Sequence, residues 1–433
     1  MNYICDNIFS NGGHLTFCGH DVPALAEKYG TPLYLMDEER IRFNLNTYKY
    51  ALKKYFGENA KVLYAGKACA FRALYKIMSE EKAGIDVVSC GELYTALSAG
   101  YDVSNAFFHS NNKTDADIAY AMDNGIGYFV ADNTEEIAAI QSAAEKRNTV
   151  QKILIRITPG IDTHTYEAVN TGKVDSKFGS AIATGKAEEV LSFALEQKNI
   201  SVEGLHCHVG SQIFGEDVFE RAASIMLNFI ADMKDKHAFG CNILDLGGGY
   251  GVRYVESDPH ICIEDKIKSV SETVFAECTR LGISVPFICM EPGRSIVADA
   301  GMTVYTVGSV KKIPGLKNYV SVDGGMTDNP RFALYKSKYT VYAANKADEE
   351  HVVPCSVVGR CCESGDIIGE NIPMPVSVEK GDILAVCTTG AYNYSMASNY
   401  NRIPRPPVVM LTKDTEYLAV RRETFEDVAR FDV

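Results

Sequence analysis

The residues best suited to chemistry fall at the ends of short apolar runs. Lys67 follows Val62-Leu63-Tyr64-Ala65 and is fenced by Gly66 and Ala68. An amine so placed is either a solvated strand end or a positioned nucleophile. Asp86 lies inside GIDVVS, and His109-Ser110-Asn111-Asn112-Lys113 follows NAFF. His206-Cys207-His208 leads into Gly210-Ser211-Gln212, Gly247-Gly248-Gly249 closes ILDL, and Glu291-Pro292-Gly293-Arg294 closes FICM. A glycine triplet brings backbone N–H groups close to an anion such as phosphate. The Gly293-Arg294 pair adds one more N–H and a guanidinium. Glu291 is suited to a protonated ring nitrogen, a histidine ring to stacking on a flat group, and Lys67 to condensing with a carbonyl. Taken singly, each has a plainer explanation: an Asp or Ser at a strand end usually caps a helix, and a glycine triplet can be a tight turn.

The elements that must carry these residues are eight apolar runs: KVLYAG (61–66), GIDVVS (84–89), NAFFHS (105–110), GYFVAD (127–132), KILIRIT (152–158), VEGLHCHVG (202–210), ILDLGGG (243–249) and FICMEPG (287–293). Each is rich in β-branched or aromatic residues and ends in turn formers. Helical patterns lie between them. DNTEEIAAIQSAAEKRN (132–148) opens on a capping Asn/Thr, and CGELYTALSAG (90–100) closes on glycine. Eight strands alternating with helices over roughly 230 residues predict an α/β fold, a (β/α)8 TIM-like barrel, with a doubly wound open sheet as the alternative. Barrel chemistry sits at the C-terminal strand ends, where the polar residues fall. His206 and His208 alternate along their run, so only one is expected to face the barrel mouth.

After Arg294 the texture changes to short strands split by turns: MTVYTVGSV, NYVSVDGG, YTVYAA, HVVPCSVVG, DILAVCTTG, PPVVMLT and EYLAVRR. These predict an all-β domain, sandwich- or barrel-like. HLTFCG and TPLYLMD in the first 37 residues are too few strands for a core of their own and are expected to pair with it. The domain organisation is then a barrel over residues 38–295, inserted into a discontinuous β domain of residues 1–37 and 296–433.

The chain has 433 residues, 46% hydrophobic and 23% charged, a size suited to two domains. Its net charge of −13, with no basic cluster, argues against nucleic acid or an anionic membrane as partner. Thirteen scattered cysteines do not form a disulfide framework. No signal peptide or membrane-spanning run is apparent, and the expected location is the cytoplasm. GGGYGV is not a dinucleotide fingerprint, because Val252 holds its last position, and Lys61 stands where a P-loop needs its first glycine. No set of further His and Asp ligands accompanies His206-x-His208, so no metal is expected. A phosphate clamp, a ring partner, a stacking ring and a lysine together describe pyridoxal 5′-phosphate (PLP).

The segments YAGKAC, GIDVVSCGEL, TGKVDSKFG, GLHCHVGSQI, LDLGGGYG, EPGRSIVADAG, DGGMTDNPRFALY, VVGRCCESGD and GAYNYSMASNYN carry a resemblance over nearly the whole chain. The sequence resembles the barrel-type (fold-type III) PLP decarboxylases and, through the last four segments, their diaminopimelate decarboxylase branch. The resemblance implies that Lys67 carries PLP covalently and that His208 stacks on it, with Asp86 also among the cofactor-binding residues. Ser211, Gly248, Gly249, Gly293 and Arg294 match the phosphate-binding set, and Glu291 matches the partner of the ring nitrogen. Arg331, Tyr335, Glu363 and Tyr392 match substrate-binding positions; Tyr392 also lies near the cofactor, and Arg294 is shared with the substrate. Cys362, beside Glu363, is aligned with the cysteine that returns the proton, although Cys361 adjoins it. The same resemblance implies a homodimer with shared active sites, because the CES segment serves the partner subunit.

The distal end of meso-diaminopimelate carries a carboxylate, which suits bidentate arginine; Arg294 and Arg331 are available, with Glu363 for the distal ammonium. A diamine-forming decarboxylase needs no such clamp. The competing readings are a sister PLP decarboxylase acting on D-ornithine/D-lysine or carboxynorspermidine, and a non-catalytic regulator that keeps the fold.

Overall fold

The structure is a computed structural model that describes residues 3–161, 175–215 and 217–433. Thr171–Val174 of the TGKVDSKFG segment therefore lie outside the described residues. The chain divides into two compact units, one of Leu45–Gly251 with Ile261–Ser295, the other of Met1–Asn44, Val252–His260 and Ile296–Val433.

In the first unit, parallel strands run in chain order Ala60–Ala65, Gly84–Val87, Ala106–Phe108, Tyr128–Ala131, Gln151–Thr158, Ile200–His206, Ile243–Asp245 and Phe287–Met290. Each pairs with the next, and the last returns to the first in the register Ile288↔Ala60 to Met290↔Val62. The sheet is thus a closed eight-stranded barrel, as the eight apolar runs predict. Runs of Val, Ile, Leu and Phe without strict alternation suit strands that are covered on both faces. Leu63, Phe107, Val130, Leu154 and Cys289 form one cluster, each at most 4% exposed.

Local chemistry sets where the helices begin. Asn133 accepts from Glu136 N at 2.9 Å, and Thr114 makes a reciprocal capping box with Asp117. Ser89 accepts from Glu92 N at 3.2 Å to open the helix Cys90–Ser98. That strand-end serine is therefore a cap. Among the described residues no helix is long and apolar enough to cross a membrane.

The second unit is built on the strand Gly301–Ile313. Its first half pairs with both Leu33–Asp37 and Ile383–Cys387, and its second half with Lys317–Val322. The sheet continues from Leu33–Asp37 to Val408–Leu411 and Glu416–Val420, and from Lys317–Val322 to His351–Val358 and Ile367–Pro375. Leu33–Asp37 pairs with the C-terminal strands as expected from TPLYLMD. HLTFCG differs: His14–Phe17 pairs with Ile8–Asn11 and His20–Asp21 in a small sheet. It joins the core through side chains instead, with Leu15 and Phe17 packed in one cluster with Leu35, Val304 and Leu411. Ile367–Pro375 has no expectation from sequence. It is an edge strand that carries Gly369, Asn371 and two prolines and pairs through repeated bulges, composition that reads as loop.

The barrel cluster makes a direct prediction. Leu154 is fully buried, so Leu154→Ala should lose about 2–5 kcal/mol of stability in denaturant titrations. A change below about 0.5 kcal/mol would show that this position is not core.

Candidate active site

Lys67 sits in a single 3-10 turn, Gly66–Ala68, directly after the first barrel strand. Its charge acts on Asp86, Glu92 and His208, which places the amine inside the cluster of strand ends. Asp86 is buried on the second strand, and its Oδ1 has no hydrogen-bond partner among the described residues. Burial and then the nearby Glu291 push its carboxyl up to about 6. Burial likewise lifts Glu92 to about 7, although it accepts from Val88 N at 2.8 Å.

Glu291, just past the eighth strand, lies between two imidazoles. His109 Nε2 is 2.7 Å from Oε1, a bent contact that falls short of a straight hydrogen bond. His206 Nε2 is 3.2 Å from Oε2 and hydrogen-bonded to it. All three side chains are buried. Burial opposes ionisation of Glu291, but the two histidines outweigh it and hold the carboxyl well below the usual carboxylate range. His206 is driven by burial down to about 3, even against the pull of Glu291. The ligand-type atoms of the three lie within 4.8 Å of one another, a spacing that a metal ion would accept; the two contacts themselves have N–H···O lengths.

His208 lies two residues past the end of its strand, at His206. Strand alternation no longer applies there, so both histidines reach the mouth, contrary to the expectation of one. His206 meets Glu291, and His208 Nδ1 accepts from Gly248 N at 3.2 Å. Burial, then the charges of Lys67 and Arg156, hold the His208 ring well below the usual histidine range.

The loops after the sixth, seventh and eighth strands press backbone to backbone. A Cβ at Gly248 would come within 2.1 Å of Glu291 O, and one at Gly249, with φ +117°, within 2.1 Å of Gly210 O. Only glycine fits either place. Ile213 N donates to Gly249 O at 3.0 Å, and Glu291 N to Gly247 O at 2.8 Å. Beside them Arg294 donates to Ser211 Oγ from Nε at 3.2 Å and Nη2 at 2.9 Å. Gly293 is buried between Glu291 and Arg294. The barrel thus collects Lys67, Asp86, His208, Ser211, Gly248, Gly249, Glu291, Gly293 and Arg294 at its C-terminal strand ends.

The β unit holds the others. Arg331 is buried at the start of the short helix Arg331–Tyr335. Its Nη1 donates to Tyr339 Oη at 2.9 Å and Tyr254 Oη at 3.2 Å. The guanidinium carbon lies 5.3, 5.9 and 5.8 Å from the ring centres of Tyr254, Tyr339 and Tyr392, a cation–π cage. Tyr392 is half-buried with φ +67°, and Tyr335 is half-buried at the helix end. Cys362 and Glu363 are exposed. Cys362 N donates to Asn401 Oδ1 at 3.0 Å, and Glu363 accepts from Gly365 N at 3.1 Å. Cys361 is half-buried, and burial, then Asp366, push its thiol up to about 12. An open cavity of about 880 Å³ in this unit, lined by residues such as Arg253, Lys336, Lys338 and Tyr342, includes none of the residues singled out from sequence.

Sequence reasoning noted His109 and His206 at strand ends but gave neither a role. It missed Tyr254, which no motif marks, and Arg156, a charged residue inside an otherwise apolar run.

Comparison with known proteins agrees with this geometry. Residues 39–298 match the family model "Pyridoxal-dependent decarboxylase, pyridoxal binding domain". The chain is 44% identical to the diaminopimelate decarboxylase of Bacillus subtilis (strain 168), over 97% of this chain and 95% of that protein. The crystal structure of diaminopimelate decarboxylase from M. jannaschii in complex with L-lysine superposes with a TM-score of 0.92 at 32% identity, covering 99% of this chain and 98% of the other. That of the Helicobacter pylori enzyme complexed with L-lysine gives 0.86 at 30% identity, covering 94% and 98%. The chain belongs to the pyridoxal-dependent decarboxylase family.

Proposed function

We propose that this protein removes one carboxylate of meso-2,6-diaminopimelate as CO2, with PLP as cofactor, and releases L-lysine, the last step of lysine biosynthesis. The observation that carries the reading is the 44% identity to the Bacillus subtilis enzyme over 97% of the chain, joined to a barrel mouth whose residues suit the cofactor. Two features of that mouth support the fit. The glycine cradle at Gly248 and Gly249 leaves no room for a side chain, as a phosphate held by backbone N–H groups requires. The buried, ionised Glu291 has no cationic partner as strong as a pyridinium among its two imidazole neighbours.

When bound, PLP supplies an electron sink for the pair left at Cα as CO2 departs. Lys67 would hold the cofactor through its side-chain amine. Ser211, Gly248, Gly249, Gly293 and Arg294 would hold its phosphate, and His208 would lie beside its ring. Asp86 adds an acid beside Lys67, and Glu291 keeps the ring nitrogen protonated, an electrostatic contribution fixed before the reaction starts. Arg331, with Arg294, reads the distal carboxylate; Tyr335 and Tyr392 line the substrate, and Glu363 takes the distal ammonium. Cys362 delivers the proton to Cα. Its exposure in a single chain suits a homodimer in which Cys362 and Glu363 of one subunit serve the barrel of the other. The barrel spans 38–295 and the β domain 1–37 and 296–433 in this functional division. The enzyme works in the cytoplasm on a small amino-acid substrate, without nucleic acid or membrane as partner.

The deciding experiment incubates the PLP-loaded protein with meso-diaminopimelate, D-ornithine, D-lysine, L-ornithine and carboxynorspermidine, with CO2 measured and the product identified. L-lysine from diaminopimelate at a kcat/KM at least about 10-fold above the others is expected, because one charge-assisted clamp is worth about 1.5–3 kcal/mol. Preference for any other substrate overturns the assignment. Cys362→Ala should lower kcat about 100-fold with PLP still bound, while Cys361→Ala stays within a few-fold; the reverse order would make Cys361 the donor. Arg331→Met should raise KM for diaminopimelate about 10–100-fold, and an unchanged KM would remove Arg331 from the clamp.

A further inference from the structure

Three buried acids converge inside the barrel: Asp86 on the second strand, Asp245 at the end of the seventh and Glu291 past the eighth. Three carboxylates cannot all ionise in one dry site, and the sequence does not say which of them does. The contacts do. The two imidazoles of the cluster are both directed at Glu291, one to each oxygen, at 2.7 Å from His109 and 3.2 Å from His206. Their rings stand edge to face with centroids 4.9 Å apart, so each fixes the other. Asp86 Oδ1 and Asp245 Oδ2 have no hydrogen-bond partner among the described residues. Asp245 Oδ1 accepts from Gly247 N, at 2.8 Å.

We propose that His109 and His206 are positioning residues that select Glu291 as the ionised acid of this cluster, His206 through its hydrogen bond to Oε2 and His109 through the close approach of its Nε2 to Oε1. The proposal rests on the reading of Glu291 as the partner of the ring nitrogen. It explains why two histidines are buried beside this carboxylate: without them, burial would protonate Glu291 and end its fitness to pair with a pyridinium. The other charged neighbours sort accordingly. His109, Lys67 and Arg156 from the fifth strand act on Asp86, and Arg156 also on Glu291, yet burial and Glu291 still push Asp86 up, to about 6. Asp245 is raised well above the usual range by burial and then by Glu291. Two acids stay reluctant to ionise so that one can. The buried Nδ1 of His206, without a hydrogen-bond partner among the described residues, fits a neutral ring whose single proton is on Nε2.

The test is carbon-13 NMR of the cofactor-free full-length protein labelled at glutamate carboxyls, with the Glu291 signal assigned by its loss in Glu291→Gln. In the wild type this signal should stay that of a carboxylate across the neutral range. In His109→Phe it should titrate at clearly higher pH, and in His109→Gln, which keeps an N–H donor, it should follow the wild type. With PLP bound, His109→Phe should lose about 10–100-fold in kcat with KM unchanged, and His109→Gln no more than about 3-fold. A group whose titration point rises is protonated below that point. The loss in His109→Phe should therefore be greatest on the acid side and fade as pH rises. The His206→Phe and His206→Gln pair repeats the comparison should His109→Phe not fold. An unchanged Glu291 titration in the Phe variants, or Gln variants as damaged as Phe ones, overturns the proposal. Normal kcat in Glu291→Gln would overturn the ring-partner reading alone, and the titration in cofactor-free protein would still judge the histidines.

Discussion

The site depends on keeping one charge in a dry place. Glu291 is 5% exposed, and a lone carboxylate at that depth would take up a proton. The hydrogen bond from His206 and the close approach of His109 offset the desolvation, at the cost of burying two more polar rings. The rest of the barrel mouth is arranged around that exchange. Strand three must end in a histidine and strand six in another, and their ends must face the eighth strand across the barrel interior. A closed sheet with a fixed register brings residues from distant strands to one level.

The glycine loops follow from the same closeness. Glu291 O lies where a Gly248 side chain would stand, and Glu291 N is tied to Gly247 O. The loop suited to phosphate and the acid suited to the ring nitrogen are therefore parts of one packed backbone, and neither can move without the other. This rigid geometry favours pre-organised electrostatics. In the β unit, Arg331 shows the same economy on a different residue type: three tyrosine rings surround a buried guanidinium, and two hydroxyls orient it.

Much of this was legible in the amino-acid sequence because periodicity and turn chemistry act locally. The eight barrel strands stand where the apolar runs end in Gly, Ser, Asp or Pro, and Asn133 caps the helix that its position announces. What was not legible depends on non-local contact. Ile367–Pro375 is a strand only because His351–Val358 lies beside it. Tyr254 belongs to a segment that follows the seventh strand, yet its backbone carbonyl accepts from Thr340 and its ring meets Arg331. His206 and His208 were set against each other by strand alternation, a rule that stops where the strand stops. Cys361 and Cys362 could not be told apart by type; their different exposure separates them.

Each strand end also has a plain structural use, and Ser89 took it. The other ends keep residues that caps do not need: a lysine, a carboxylate with one oxygen unpartnered among the described residues, three histidines and a buried glutamate. The family supports PLP as the cofactor, and the reading proposed for this chain has Lys67 hold it at the mouth of the barrel. The most direct measurement is borohydride reduction of the PLP-loaded protein followed by digestion and mass spectrometry of the peptides. A stable pyridoxyl adduct on Lys67 is the predicted result. An adduct on another lysine, or none on a protein that turns over substrate, would contradict the account.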